Sequence, residues 1–136
     1  MSNRYFQTEI GNNAEAIRQI QLRISRVLED LGYSIRDIFR VRLAVEEALV
    51  NAMKHGNHMD SDKSVFVAYT ANSERIRIEI EDNGQGFRDL LVPSPLTESN
   101  LQKPTGRGIM LMRSFMNSIE YNEVGNRLVM EKLRIA

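Results

Sequence analysis

The sequence predicts an α/β domain in which amphipathic helices accompany an antiparallel β-sheet with one open face. Two segments, residues 14–31 and 35–55, carry apolar residues mostly at helical spacing. Residues 75–81 alternate between charged residues and isoleucines, as in a strand with one buried side and one side facing solvent. Burial on one side only is typical of an antiparallel sheet.

Size and composition place the chain among ordinary globular domains. Its 136 residues are 42% hydrophobic and 26% charged, which fits one domain, residues 1–136, with a real core. Eighteen basic residues balance eighteen acidic ones, so charge gives no reason to expect nucleic-acid binding. The absence of cysteine excludes disulfides and thiolate metal sites. With no signal peptide and no membrane-spanning apolar run, we expect a cytoplasmic protein.

The chain is expected to begin with a short strand and a helix. Alternation predicts the strand over residues 5–10. Asn13 is a suitable N-cap for the helix that follows, and Gly32 is expected to end this helix after Leu31.

A second helix is expected to start at once. Ser34 can cap it, with Asp37 three residues later in an arrangement that resembles a capping box. The apolar spacing continues to about His55, and Gly56 or Asn57 can adopt the left-handed conformation that ends a helix.

The second half of the chain is expected to add four strands and a long loop. Strands are predicted over residues 64–70 and 75–81, joined by a tight turn, and over 118–121 and 127–135, joined as a closing hairpin. Residues 88–105 hold all three prolines and no periodic pattern, and a loop of this length in a compact domain is usually functional or disordered.

The first candidate motif lies on the second helix. Glu47 and Asn51 are four residues apart, so they lie on one face, about 6 Å apart along the axis. The amide oxygen could hold a hydrated divalent cation, and the carboxylate could orient an attacking group. Taken alone, this segment is better explained by an amphipathic helix with a solvated polar face.

The second motif follows the most regular strand. Asp82 stands at the strand end with Gly84 and Gly86 after it, so a carboxylate is placed beside backbone that permits close approach of a planar ring. Such a carboxylate can accept a hydrogen bond from an amino group such as that of adenine. For this motif alone, a plain turn is the favoured interpretation, because Asn-Gly turns after strands are common.

The third motif opens a late helix. Gly106, Arg107 and Gly108 precede the helix, and Thr105 adds a hydroxyl. Free N–H groups and the helix dipole make such a helix start an anion site. A structural turn with a solvent-facing arginine is the alternative.

In this order, and with the run Glu-Ala-Leu-Val-Asn-Ala-Met-Lys-His-Gly-Asn at 47–57, the three motifs resemble the GHKL (Bergerat-fold) ATPase superfamily. Within it, the chain is most similar to the bacterial anti-sigma factor serine/threonine kinases. The resemblance implies a two-layer α/β sandwich, with helices on one face of a mixed, mainly antiparallel sheet. It also implies that ATP lies between the helices and the long loop, which would act as a lid.

The resemblance implies a role for each motif residue. Glu47 matches the catalytic general base, and Asn51 matches the Mg²⁺ ligand of the nucleotide site. Lys54 corresponds to a phosphate contact, although a solvated lysine explains it nearly as well. Asp82 matches the aspartate that binds adenine. The remaining expected nucleotide contacts are Gly84, Gly86, Thr105, Gly106, Arg107 and Gly108.

The implied activity is transfer of phosphate from Mg²⁺–ATP to a serine or threonine of a STAS-domain anti-sigma antagonist. The implied partners also include an RNA polymerase sigma factor or another regulatory target, and a second copy of the chain in a homodimer. Two alternatives stay open. One is a nucleotide-binding regulator that sequesters its partner without phosphorylating it, and the other is a detached ATP-binding domain of a histidine kinase. The phosphate loop has two glycines where many histidine kinases have three, which counts against a complete histidine kinase, whereas a detached ATP-binding domain would look similar to this chain.

Overall fold

A computed structural model of the chain describes residues 3–57, 62–83, 112–123 and 125–135. Each predicted strand is present within two residues of its expected bounds, and residues 112–115 are helical. The elements are β1 (Arg4–Gly11), α1 (Ala14–Asp30), α2 (Ile35–Asn51), a π-helical turn (Ala52–Gly56), β2 (Ser64–Ala71), β3 (Arg75–Asp82), β4 (Ser118–Tyr121) and β5 (Arg127–Leu133).

The five strands form one sheet in the order β1-β2-β3-β5-β4. All four pairings between these strands are antiparallel, so the expected mixed character is absent from the part of the sheet that the structure describes. Strand β3 is the central strand, paired with β2 on one side and β5 on the other. The last residue of β3 therefore lies at the end of the central strand, with two strands of the sheet on either side.

The helices cover one face of this sheet, which confirms the predicted two-layer α/β fold. The isoleucines of β3 face the helices, while Arg77 and Glu79 lie on the open face, where Arg127 of β5 also bonds Glu79. No helix in the described ranges is long and apolar enough to cross a bilayer. Fully buried side chains from both layers form the core: Ile24, Leu28, Val41, Val45, Leu49, Val65, Val67, Ile76, Ile78 and Met130.

Helix α1 has the ends that the sequence predicts. The Asn13 side chain accepts a hydrogen bond from the Ala16 N–H at 2.8 Å, which satisfies one of the donors left free at a helix start. Gly32 follows the helix with φ +83°, a left-handed conformation that glycine adopts without steric cost.

The start of α2 holds a buried ion pair that the sequence did not reveal. Ser34 caps the helix as predicted, accepting from the Asp37 N–H at 3.1 Å. The Asp37 carboxylate, expected to support the cap, instead lies 3.5 Å from the Lys132 ammonium and accepts from the Ile135 N–H at 2.9 Å. Both charged side chains are almost completely buried. This pair therefore anchors the segment after β5 to the start of α2.

The end of α2 differs from the prediction. The α-helix stops at Asn51 and continues as a π-helical turn, in which the Asn57 N–H bonds the Ala52 carbonyl five residues earlier at 2.8 Å. Asn57 has φ −93° and ψ −5°, so it is not left-handed. Its buried side chain bonds to the strands, and these tertiary contacts hold the chain in the wider turn.

The Asp37–Lys132 pair gives a stability prediction. We expect Lys132→Met to lower the free energy of unfolding by about 3–5 kcal/mol, because the substitution leaves a buried carboxylate without its counter-charge. Urea unfolding followed by circular dichroism measures the loss. The double variant Asp37→Asn with Lys132→Met should recover part of it. Arg18→Met, which breaks the exposed pair with Glu15, is the control and should change little. An equal, small loss in both single variants would contradict a structural role for the buried pair.

Candidate functional site

The C-terminal end of α2 brings two polar side chains to the central strand. Asn51 is only 1% exposed, and Glu47, one turn earlier, is partly buried. The π-helical turn that follows packs directly against β3. The apolar side of α2 faces the core, so its rotation fixes where these two side chains point.

Asp82 is the end of β3 and is itself buried, with 3% of its surface exposed. Its backbone is fixed on both sides by Asn126, in the turn before β5. The Asp82 N–H donates to the Asn126 carbonyl at 2.9 Å, and the Asn126 side-chain amide donates to the Asp82 carbonyl at 3.3 Å. The carboxylate therefore starts from a well-anchored backbone.

Tyr121, at the end of β4, completes this cluster, and the sequence analysis missed it. Burial raises the pKa of its hydroxyl, the carboxylates of Asp82 and Glu47 raise the pKa further, and the adjacent Asn51 side chain lowers it. The Tyr121 hydroxyl therefore lies within electrostatic range of Asp82 and Glu47 and beside the Asn51 side chain. An aromatic residue at a strand end is a weak sequence signal, and only the strand order brings Tyr121 here.

Glu47 has the electrostatics of a candidate base. Partial burial raises the pKa of its carboxyl, and the neighbouring Glu46 adds to this effect, while Lys54 opposes it. A raised pKa brings the carboxyl closer to the range in which it can take up a proton near neutral pH. Glu46 and Lys54 are exposed and also line a groove between α1 and α2, together with Arg18.

The side-chain oxygens of this cluster suit a hard cation whose remaining ligands are water or phosphate. Asn51 is buried, and its amide nitrogen lies beside the Tyr121 hydroxyl without forming a hydrogen bond of normal geometry among the described residues. Such an N–H group can still bind an acceptor atom of a ligand, and the amide oxygen can hold a cation. The described residues contain no group of three or more His, Asp or Glu side chains arranged to hold a metal by themselves. Mg²⁺ commonly binds through one or two protein oxygens, with water and phosphate as its other ligands.

Glu47, Asn51 and Asp82 thus all lie near Tyr121, and Lys54, on the π-helical turn, lies near Glu47. Their roles in binding and catalysis stay predictions from the sequence. The other predicted nucleotide contacts lie outside the described residues: Gly84, Gly86, Thr105, Gly106, Arg107 and Gly108. The long loop over residues 88–105 lies outside them as well.

Comparison with known proteins places this geometry in a family. Residues 10–132 match the family described as histidine kinase-like ATPase domain. The anti-sigma F factor of Clostridium perfringens is 32% identical over 114 residues, covering 80% of this chain and 81% of that protein. The serine-protein kinase RsbW of Staphylococcus epidermidis is 29% identical over 136 residues, covering 94% and 86%.

The fold comparison agrees with the sequence comparison. A crystal structure of the RsbU and RsbW domains of Rv1364c from Mycobacterium tuberculosis superposes with a TM-score of 0.66, at 15% identity. The superposition covers 98% of this chain and 33% of that longer chain, and at this identity it supports the fold alone. The chain belongs to the family of histidine kinase-like (GHKL) ATPase domains, among the anti-sigma factors and serine-protein kinases, as its motifs indicated.

Proposed function

We propose that this protein is an ATP-dependent serine/threonine protein kinase that acts as an anti-sigma factor in a partner-switching module. The observation that carries the proposal is that partly buried Glu47 and buried Asn51 and Asp82 all lie near Tyr121 in a domain of this family. The names of the relatives, anti-sigma F factor and serine-protein kinase, support both halves of the proposal.

In this proposal, Asp82 recognises adenine. Its carboxylate would accept a hydrogen bond from the exocyclic amine of the base, and the anchored backbone keeps it in place. Guanine presents a carbonyl oxygen at the equivalent ring position, so the same carboxylate would repel it. A buried acceptor discriminates strongly, because the wrong base leaves it unpaired.

Phosphoryl transfer would then require positioning and charge neutralisation more than covalent catalysis. The Asn51 amide oxygen would hold Mg²⁺, which when bound neutralises charge on the triphosphate. The Glu47 carboxylate would take the proton from a serine or threonine hydroxyl of the partner. The hydroxyl oxygen would form a bond to the γ-phosphorus as the bond to the β–γ bridging oxygen breaks, and ADP would leave.

The proposed protein substrate is a STAS-domain anti-sigma antagonist, and the proposed second partner is an RNA polymerase sigma factor or another regulator. Phosphorylation of the antagonist would free this protein to hold the sigma factor. A homodimer is part of the same proposal. Cytoplasmic placement would follow from partners of this kind.

A second function, sequestration without kinase activity, is favoured by one comparison. The C. perfringens relative is named only as an anti-sigma factor. A sequestering regulator would need Asp82 to bind nucleotide but would not need the Glu47 carboxylate. The Glu47 experiment below therefore separates the two functions.

Asp82→Asn tests adenine recognition. We expect the dissociation constant for ATP to rise roughly 10- to 100-fold, because a hydrogen bond to a charged acceptor is worth about 1.5–3 kcal/mol. Titration calorimetry with ATP and GTP measures the change. Glu81→Gln, one residue earlier and partly exposed, is the matched control and should bind like the wild type. Unchanged ATP affinity in Asp82→Asn would refute the adenine contact.

Asn51→Ala tests the metal contact. We expect it to weaken binding of ATP in the presence of Mg²⁺ far more than binding of ATP in EDTA, because only the former uses the amide oxygen. Each protein serves as its own control, since the two titrations differ only in the metal. Equal losses in both titrations would argue for a purely structural amide.

Glu47→Gln tests catalysis. We expect ATP affinity to be retained and transfer of labelled phosphate to a STAS-domain partner to fall by at least about 100-fold, the usual contribution of a general base. In the wild type, the rate should fall as the pH drops through a pKa above that of an ordinary glutamate. Because burial disfavours ionised Glu47 in the folded state, the neutral glutamine should not lower stability at neutral pH.

The exposed neighbour provides the control for this experiment. Glu46→Gln should retain most of the transfer rate, because that side chain faces the groove between α1 and α2. A full rate of phosphate transfer by Glu47→Gln would show that Glu47 is not the general base. A wild type that binds ATP and its partner without transferring phosphate would establish the sequestering function instead.

A further inference from the structure

Asn57 is a completely buried residue whose side chain joins three separate parts of the fold. Its amide nitrogen donates to the Ser64 carbonyl at 2.9 Å and to the Asn12 side-chain oxygen at 3.2 Å. Its amide oxygen accepts from the Asn83 N–H at 2.8 Å. One side chain thus connects the end of the π-helical turn to the start of β2, the end of β3 and the turn before α1.

The contact with Asn83 has a particular location. Asn83 follows Asp82 directly, and Asn57 lies six residues after Asn51, across the single π-helical turn. The hydrogen bond between them is therefore a short link between the strand end that carries the predicted adenine contact and the helix end that carries the predicted metal contact. Asn126 holds Asp82 only to the hairpin that precedes β5, so it makes no such link to the helix layer.

The surrounding bonds make this link rigid. The Asn83 side-chain oxygen accepts from the Ser64 N–H at 3.1 Å, and the Asn12 amide donates to the Lys63 carbonyl at 3.0 Å. The backbone N–H of Asn57 is itself held by Ala52. Asn57, at the centre of this network, is buried, and a buried side chain whose donors and acceptor all have partners is restricted to one geometry.

We propose that Asn57 is a positioning residue, which sets the distance between Asp82 and the Glu47–Asn51 face of α2 through its hydrogen bond to the Asn83 N–H. The proposal rests on the nucleotide-binding role proposed above. In this role, Asn57 contacts no nucleotide, and its loss would let the strand end shift relative to the helix. The Asp82 carboxylate would then lie at the wrong distance from Glu47 and Asn51, so that a bound nucleotide could not contact all three side chains at once.

A purely structural role makes a different prediction. Loss of any buried hydrogen bond lowers stability, but it should leave the base preference of the folded protein unchanged. The ratio of GTP to ATP dissociation constants is therefore the decisive quantity, because it depends on where the Asp82 carboxylate lies. We expect Asn57→Ala to lower this ratio by about 10-fold or more, the size of one well-placed hydrogen bond to a charged group.

Asn12→Ala is the matched control. It removes a hydrogen-bond partner of the same Asn57 amide but leaves the bond from the Asn83 N–H intact. We expect it to lower the melting temperature while the GTP to ATP ratio stays within about 3-fold of the wild type, below the value of one such bond.

Hydrogen exchange in the absence of nucleotide tests the link itself. By NMR, the Asn83 amide should exchange at least about 10-fold faster in Asn57→Ala than in the wild type or Asn12→Ala, because only the first loses its acceptor. If Asn57→Ala cannot be purified folded, Asn57→Ser replaces it, since serine leaves a smaller void but is one atom too short to retain the contact.

The outcomes separate the two proposals. Faster exchange at Asn83 together with a lost base preference in Asn57→Ala supports the positioning role. Unchanged exchange, an unchanged ratio, or equal loss of the ratio in Asn57→Ala and Asn12→Ala overturns it. A wild type that binds no ATP would refute the proposed function, and nucleotide positioning would fall with it even if exchange showed that the Asn57–Asn83 link exists.

Discussion

The packing of the end of α2 against β3 is the contact on which the candidate site depends. The same helix contributes Val41, Val45 and Leu49 to the core, and all three are fully buried. This apolar stripe fixes how α2 is rotated about its axis, so the directions of Glu47 and Asn51 are fixed with it. The π-helical turn that follows α2 packs against the central strand, β3. The packing of α2 into the core thereby places the polar side chains of the site.

Burial of polar groups in this region is costly, which helps to separate structural residues from functional ones. A buried amide without a partner costs about 1–3 kcal/mol. The buried Asp37 carboxylate is paired with Lys132 and bonded by the chain after β5, so its role is explained within the fold. The Asn51 amide nitrogen lies beside the Tyr121 hydroxyl but forms no hydrogen bond of normal geometry among the described residues. Residues whose burial lowers the stability of the fold without a compensating contact are expected at binding sites.

The sequence predicted those features that depend on local pattern or short spacing. Strand β3, both helices and their N-caps follow from periodicity and capping, and the proximity of Glu47 to Asn51 follows from helix geometry. The strand order, which brings Tyr121 to the site, arises from long-range pairing that leaves no periodic signal. The π-helical turn was missed because its cause is the burial of Asn57 by tertiary contacts. The glycine motifs stay predictions from sequence alone.

The choice of asparagine around the site has an electrostatic reason. A neutral amide both donates and accepts, so Asn57 and Asn126 can satisfy backbone groups at strand ends without adding a charge. The site already places the carboxylates of Glu47 and Asp82 near a partly buried tyrosine, Tyr121, whose pKa they raise. Interactions between charges are strong in such a partly desolvated place, so a charged residue in the supporting network would shift the protonation of the catalytic candidates. Because Asn57 and Asn126 are neutral, they do not disturb the charges of the side chains that are proposed to contact adenine, the metal ion and the substrate hydroxyl.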